Sequence, residues 1–129
     1  MKLASFLKLL FSKNIQKGPS GHWWSQRMSA ILLIVFGGWF LISMTLIDSY
    51  HFESIYNWVS VPFNILMLSL LVTLLTYHSY LGLEVIIEDY VHDNLQQLSS
   101  LRLSKIIHFV VFLLSVSSLG LIFLGLFNG

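Results

Sequence analysis

Cysteine is absent from this 129-residue chain. The absence excludes disulfide bonds, cysteine-ligated iron–sulfur clusters and covalently attached c-type haem within the chain. Charge is also scarce, because charged residues make up 10% of the sequence, whereas soluble domains average about a quarter. With 56% hydrophobic residues and a mean hydropathy of +0.78, most side chains must face lipid or protein. The net charge of +1, without a basic stripe, argues against nucleic acid as a partner.

Three apolar segments have the length of roughly 20 residues that spans a membrane. They cover about residues 28–47, 61–87 and 106–127, and none contains Lys or Arg. Pro62 fits the start of the second, where its missing N–H costs nothing. The sequence therefore predicts an all-α integral membrane protein with three transmembrane helices in one domain, residues 1–129.

The loops predict the orientation. Seven basic residues lie before the first segment or between the second and third, and the loop between the first two segments has none. The positive-inside rule then places the N-terminus in the cytoplasm and the C-terminus in the periplasm. Residues 1–17 alternate lysine with bulky apolar residues, which predicts an interfacial amphipathic helix or a segment docked on a partner, with a solvated basic tail as the alternative. Residues 18–21 predict an interruption of regular secondary structure. No signal-peptide cleavage pattern is present.

His78 lies within the second apolar segment. An ionisable side chain in lipid is costly and usually pairs, ligates or conducts. A neutral imidazole can ligate haem iron, and Gly82, four residues on, shares its helix face and leaves room for a flat macrocycle. The alternative is a histidine that bonds a neighbouring helix, with the glycine serving helix packing. The residues alone leave both readings open.

His108 is the other histidine inside an apolar segment. At 1.5 Å per residue its predicted depth differs from that of His78 by roughly 10 Å or more, which is too far for both to hold one iron. His22, His51 and His92 fall in predicted loops or interfaces. If His78 binds haem, we therefore expect the opposite ligand to come from another chain.

The end of the second segment carries Glu84, Asp89 and Tyr90. A tyrosine hydroxyl beside apolar surface can donate to a quinone carbonyl, but an interfacial tyrosine among solvated carboxylates is an equally simple reading. Glu84 is expected to be neutral or to face a polar contact. Arg27, at the start of the first segment, could pair with a haem propionate or a lipid phosphate, or could serve only as a positive-inside anchor.

Two motifs resemble those of a known family. One is Gly21-His-Trp-Trp-Ser-Gln-Arg27 followed by Ser29-Ala30. The other is His78-x-x-x-Gly82 with Asp89-Tyr90 eleven and twelve positions after the histidine. The chain is similar to the smaller cytochrome b-type membrane anchor subunit of succinate dehydrogenase (complex II). Glu84 departs from that pattern, in which a neutral residue such as glutamine is expected.

The resemblance implies roles for four residues. His78 would be one axial ligand of a haem b shared with the larger anchor subunit, and Arg27 would lie near the haem propionates and the quinone site. Tyr90 would bind ubiquinone, with Asp89 supporting that region. Flavoprotein and iron–sulfur subunits would dock on the cytoplasmic side of the bacterial inner membrane, and the anchor would not be catalytic alone.

Two other classes of function remain open at this stage. One is a cofactor-free structural or assembly subunit that contacts only lipid and protein, in which His78 serves helix packing. The other is a proton-conducting transporter subunit that uses His78 and Glu84, although the repeats and broken helices of transporters are not visible in the sequence.

Overall fold

The computed structural model describes residues 19–126, which form four helices. They are α1 (Pro19–Thr45), α2 (Phe52–Ser60), α3 (Pro62–Tyr90) and α4 (Asn94–Phe123). Helices α1, α3 and α4 each contain a stretch long and apolar enough to cross a membrane. The prediction of an all-helical membrane protein with three spans is confirmed. The predicted amphipathic segment, residues 1–17, lies outside the described residues.

The long helices extend beyond the apolar segments at one end of the molecule. Helix α1 begins at Pro19 rather than near residue 28, α4 begins at Asn94 rather than near 106, and α3 continues to Tyr90. The predicted break over residues 18–21 is therefore wrong from Pro19 onward. A proline in the first helical turn sacrifices no hydrogen bond, and adding polar residues to a formed helix costs little compared with nucleating it.

Helix α3 is the central element of the fold. Helices α1 and α4 each pack against it and, within residues 19–126, do not pack against each other. The buried apolar side chains of this part of the chain, Leu71, Leu81 and Ile87, all belong to α3. Most other large apolar side chains are exposed. That exposure suits lipid or another membrane subunit rather than water.

Small polar residues mark the helix contacts. Ser29 of α1 and Ser104 of α4 are 3% and 4% exposed, and small residues allow close helix approach in a bilayer. At the opposite end of the molecule, the short helix α2, which the sequence did not predict, packs by its aromatic residues. Trp58 stacks on Trp39 of α1 with ring centroids 5.8 Å apart. The connection between α1 and α3 is therefore anchored by α2.

Candidate functional site

His78 of α3 faces α1 through a hydrogen bond. Its Nδ1 atom lies 2.8 Å from Oγ of Ser29, and that hydroxyl donates to the carbonyl oxygen of Gln26 at 3.0 Å. A serine hydroxyl has one proton, and here it is used in the hydrogen bond to the carbonyl. The Nδ1–H of His78 therefore donates to the serine oxygen. The network thereby assigns the tautomer with an unprotonated Nε2, the form of imidazole that coordinates a metal.

A groove of about 610 Å³ lies between α1 and α3 beside His78, and Arg27 and Gly82 also line it. Its volume falls within the roughly 300–1,000 Å³ typical of small-molecule sites. The structure thus brings together two of the four predicted site residues, His78 and Arg27. Together they place an imidazole and a guanidinium on one open surface of the α1–α3 pair.

Gly82 and Gln26 face each other across this groove. A Cβ atom added at Gly82 would lie 3.3 Å from Nε2 of Gln26, so the glycine allows the amide to approach α3. The Oε1 atom of the same amide is buried and has no hydrogen-bond partner among the described residues. A buried acceptor without a donor is costly, and here it offers a bonding position next to His78.

Arg27 is exposed on α1 and lies over an aromatic ring. Its Cζ atom is 5.2 Å from the centroid of the Trp23 ring, which in turn stacks on Trp24 at 5.8 Å. Residues four apart share a helix face, so this cation–π contact follows from the sequence once the helix extends this far. The ring orients the guanidinium beside the groove, where it can meet an anionic group.

Asp89 and Tyr90 are the last two residues of α3 and lie apart from the groove. Both are exposed, Tyr90 by 78%, and within the described chain neither side chain makes a hydrogen bond. The Tyr90 carbonyl accepts a hydrogen bond from Nδ1 of His92 at 3.1 Å. The structure therefore does not join these two predicted residues to His78 and Arg27.

His108 lies at the depth of Ser79, so the predicted difference in depth between His108 and His78 is wrong. Its Nε2 atom is 3.1 Å from Oγ of Ser79, and its Nδ1 atom donates to the Ser104 carbonyl at 2.7 Å. Only residues 91–93 connect α3 to the early-starting α4, which sets the two histidines level. They still belong to different helix contacts, because both nitrogens of His108 are engaged within the α3–α4 pair.

Sequence reasoning missed a second cluster between α1 and α3. Nδ1 of His22 lies 3.5 Å from Oε2 of Glu84, and the Tyr80 hydroxyl donates to Oε1 of the same carboxylate at 3.3 Å. Glu84 thus has the polar contacts that its position in a span requires. The sequence predicts a loop or interface position for His22, because it predicts the helix start nine residues too late. Pro19 is the signal that marks the earlier helix start, because proline is common in the first turn of a helix.

No group of three or more His, Asp or Glu side chains within residues 19–126 forms a metal site. Any metal bound by this part of the chain would therefore need ligands from another molecule or from a cofactor. The groove contains two imidazoles, those of His22 and His78, and His22 lies 3.5 Å from Glu84.

The family described as the succinate dehydrogenase/fumarate reductase transmembrane subunit matches residues 11–123. The chain belongs to this family. Three curated relatives are succinate dehydrogenase anchor subunits. The hydrophobic membrane anchor subunit of Rickettsia bellii is 31% identical over 84% of this chain and 91% of its own length. That of Rickettsia prowazekii is 33% identical over 63% and 65%, and the membrane anchor subunit of Reclinomonas americana is 33% identical over 70% and 78%.

No solved structure matches the chain. Family membership confirms the resemblance carried by the two sequence motifs, and it agrees with the three spanning helices. The general role of the chain is thus that of a multi-pass membrane anchor in an enzyme complex. The family match does not by itself assign a role to any residue.

Proposed function

We propose that this chain is the smaller anchor subunit of a succinate:ubiquinone oxidoreductase in a bacterial inner membrane. It forms one membrane-anchor domain, residues 1–129, with a cytoplasmic N-terminus and a periplasmic C-terminus. It is not catalytic alone. Flavoprotein and iron–sulfur subunits on the cytoplasmic side oxidise succinate, and electrons pass from them to ubiquinone. The observation that carries the site assignment is the hydrogen bond from His78 to Ser29.

The residues of the groove fit a haem b. His78 holds its Nδ1 proton against Ser29, which leaves the Nε2 lone pair for iron. Arg27 lines the same groove and would pair with a propionate, because a guanidinium forks onto a carboxylate. When bound, the haem supplies a one-electron centre. His78 would then hold the haem in the groove, and its bond to Ser29 would orient the imidazole ring.

The other ligand to the haem iron would come from the larger anchor subunit. The other histidine that lines the groove, His22, lies beside Glu84, and His108 is engaged in the contact between α3 and α4. Helices α1 and α4 present exposed apolar surface instead of packing together. A second membrane subunit covering the α1 side would complete the haem site and bury part of that surface.

The quinone half of the site lies at the end of α3. The Tyr90 hydroxyl donates a hydrogen bond to a ubiquinone carbonyl, and Asp89 supports that region by its charge and hydration. Both side chains are exposed in this chain, which agrees with a pocket completed by the partner subunits. The proposal also gives Arg27 a position near the quinone, and in this chain Arg27 lines the groove on α1.

The test is a reduced-minus-oxidised optical spectrum of the detergent-extracted complex, together with succinate-driven quinone reduction. We expect sharp low-spin b-type bands and quinone reduction by the same preparation. A featureless spectrum from an intact multi-subunit complex would contradict the haem assignment. In that case the contact between His78 and Ser29 would serve helix packing, which is the alternative of a cofactor-free structural subunit.

A further inference from the structure

One close contact between a histidine and a glutamate side chain joins α1 to α3 in the described part of the chain, and the proposed haem and quinone contacts do not use it. It connects His22 to Glu84 across 3.5 Å, with side chains 41% and 17% exposed. Tyr80 holds the other carboxylate oxygen by a hydrogen bond of 3.3 Å. A carboxylate inside a spanning helix is expensive unless it has a function or a partner.

His22 is shared by two grooves. A smaller groove of about 240 Å³ lies next to Glu84 and Ser25, and His22 is part of its wall. His22 also lines the larger groove that holds Arg27 and His78. None of the other residues lining either groove belongs to both. The imidazole therefore connects the polar pocket of Glu84 with the proposed cofactor groove.

We propose that His22 and Glu84 form a proton-transfer pair that supplies the reduction of quinone. The inference rests on the proposed function, because it needs a reaction at this end of the molecule that consumes protons. Reduction of one quinone takes up two electrons, which derive from succinate, and two protons. An imidazole with two nitrogens can accept a proton on one side and release one on the other.

Each transfer balances within the pair. The O–H bond at Oε2 of Glu84 breaks, and an N–H bond forms at Nδ1 of His22. The proton on Nε2 of His22 leaves through water for a reduced quinone oxygen, where an O–H bond forms. A proton from bulk solvent then enters through the smaller groove and reprotonates Glu84. His22 now carries its proton on Nδ1, so the pair returns to its starting state when that proton is lost to water and another is taken up at Nε2. Two such cycles deliver both protons.

Other polar groups lie around Glu84, but none of them both contacts this side chain and lines the larger groove, as His22 does. Tyr80 is assigned only an orienting hydrogen bond, and its ring lies against His108 of α4, 5.8 Å between centroids. The remaining titratable groups near the pair are Arg27 on α1, Tyr77 and Glu88 on α3, and Lys105 on α4. His22 is the group that lies within ion-pair distance of Glu84.

The test compares Glu84→Gln, His22→Asn and the double variant in the assembled, membrane-bound complex. Glu53→Gln and His51→Asn are matched controls, because both residues are exposed and lie at the α2 end of the molecule. Three quantities are measured in each: succinate-driven reduction of a ubiquinone analogue from pH 6 to 9, succinate-driven reduction of an artificial dye, and the haem spectrum. The spectrum and the dye activity report on the proposed function independently of proton transfer.

We expect each single variant to reduce quinone on the order of a hundredfold more slowly, the low end of what a positioned acid or base contributes. The residual rate should fall steeply with rising pH, because protons then come from bulk water. The double variant should be no slower than either single variant, since the two groups act in series. Dye reduction and haem bands should remain unchanged.

A wild-type quinone rate and pH profile in both single variants would overturn the relay while leaving the anchor assignment intact. Absent haem bands and absent quinone reduction in the unmodified complex would instead overturn the proposed function. If Glu84→Gln prevents assembly, the His22→Asn variant alone tests the proposal, because the side chain of His22 is half-exposed. An unchanged pH profile in that variant rejects the proposal.

Discussion

The Oγ atom of Ser29 lies 2.8 Å from Nδ1 of His78, although 49 residues separate them in the chain. Because the serine hydroxyl donates its one hydrogen bond to the Gln26 carbonyl, its oxygen serves as an acceptor for the imidazole. Ser29 is 3% exposed, so water does not compete for this bond. The contact therefore sets both the tautomer of His78 and the direction in which its free nitrogen points.

Replacing Ser29 by alanine should leave the helices in place but release the His78 ring. Loss of such an orienting partner typically weakens metal binding by about 10- to 100-fold. We expect a lower haem content and a shifted haem reduction potential, measured by redox titration of the assembled complex. Ser29→Thr keeps the hydroxyl, which in a helix can still donate to a carbonyl one turn earlier, and should preserve both values. Equal behaviour of the two variants would argue against the orienting role.

His78→Ala removes the proposed axial nitrogen itself. The low-spin haem bands should disappear or change to those of a high-spin centre, because one ligand to iron is lost. The optical spectrum of the purified complex checks this directly. His51→Ala, at an exposed position outside the groove, is the control and should retain the bands. Unchanged low-spin bands in His78→Ala would remove the ligand role.

Substitutions at Gly82 test how much space the proposed haem needs in the groove. With alanine, the added Cβ would meet Nε2 of Gln26 at 3.3 Å, and the flexible amide can move aside. The variant should assemble with haem, helped by about 1 kcal/mol of helix propensity. Leucine at the same position would fill the groove, so we expect assembly with little haem. Haem per complex, from the pyridine-treated spectrum, distinguishes the two, and normal haem in Gly82→Leu would contradict the location of the site.

Tyr90→Phe removes one hydroxyl and little else, because the side chain is 78% exposed in this chain. A hydrogen bond contributes about 1 kcal/mol, so quinone reduction should fall about fivefold. Succinate oxidation with an artificial dye should not change, since the dye takes electrons before the quinone site. If both activities fall equally, the residue acts in assembly and not in quinone binding.

The orientation can be measured because the chain contains no cysteine. A single cysteine at His51 should react with a membrane-impermeant maleimide applied from the periplasmic side. A cysteine at Asn94 should react only after the membrane is opened, because the positive-inside rule places that turn in the cytoplasm. Both positions are exposed, so access to the reagent differs only by the side of the membrane. The reverse labelling pattern would invert the proposed topology.

The three spans were predictable because hydropathy is a local property of contiguous residues. Each apolar segment is found by its length and composition alone. The ends of the helices were not, since α1 and α4 each begin about two and a half to three turns before the predicted start, in polar sequence. Backbone hydrogen bonds continue a helix once it is formed, whatever the polarity of the next side chain. For this reason the sequence predicts a loop or interface position for His22 and a shallow position for His108, whereas both lie within helices.

The kind of protein is readable from the amino-acid sequence: a cysteine-free membrane chain with three spans and with His78 as the candidate ligand. Its two motifs also indicated the family. The tertiary structure alone decided which side chains meet. The bonds of His78 to Ser29 and of His22 to Glu84 join residues on different helices. Such pairs depend on where each helix starts and how it is rotated against its neighbour, which no single stretch of sequence encodes.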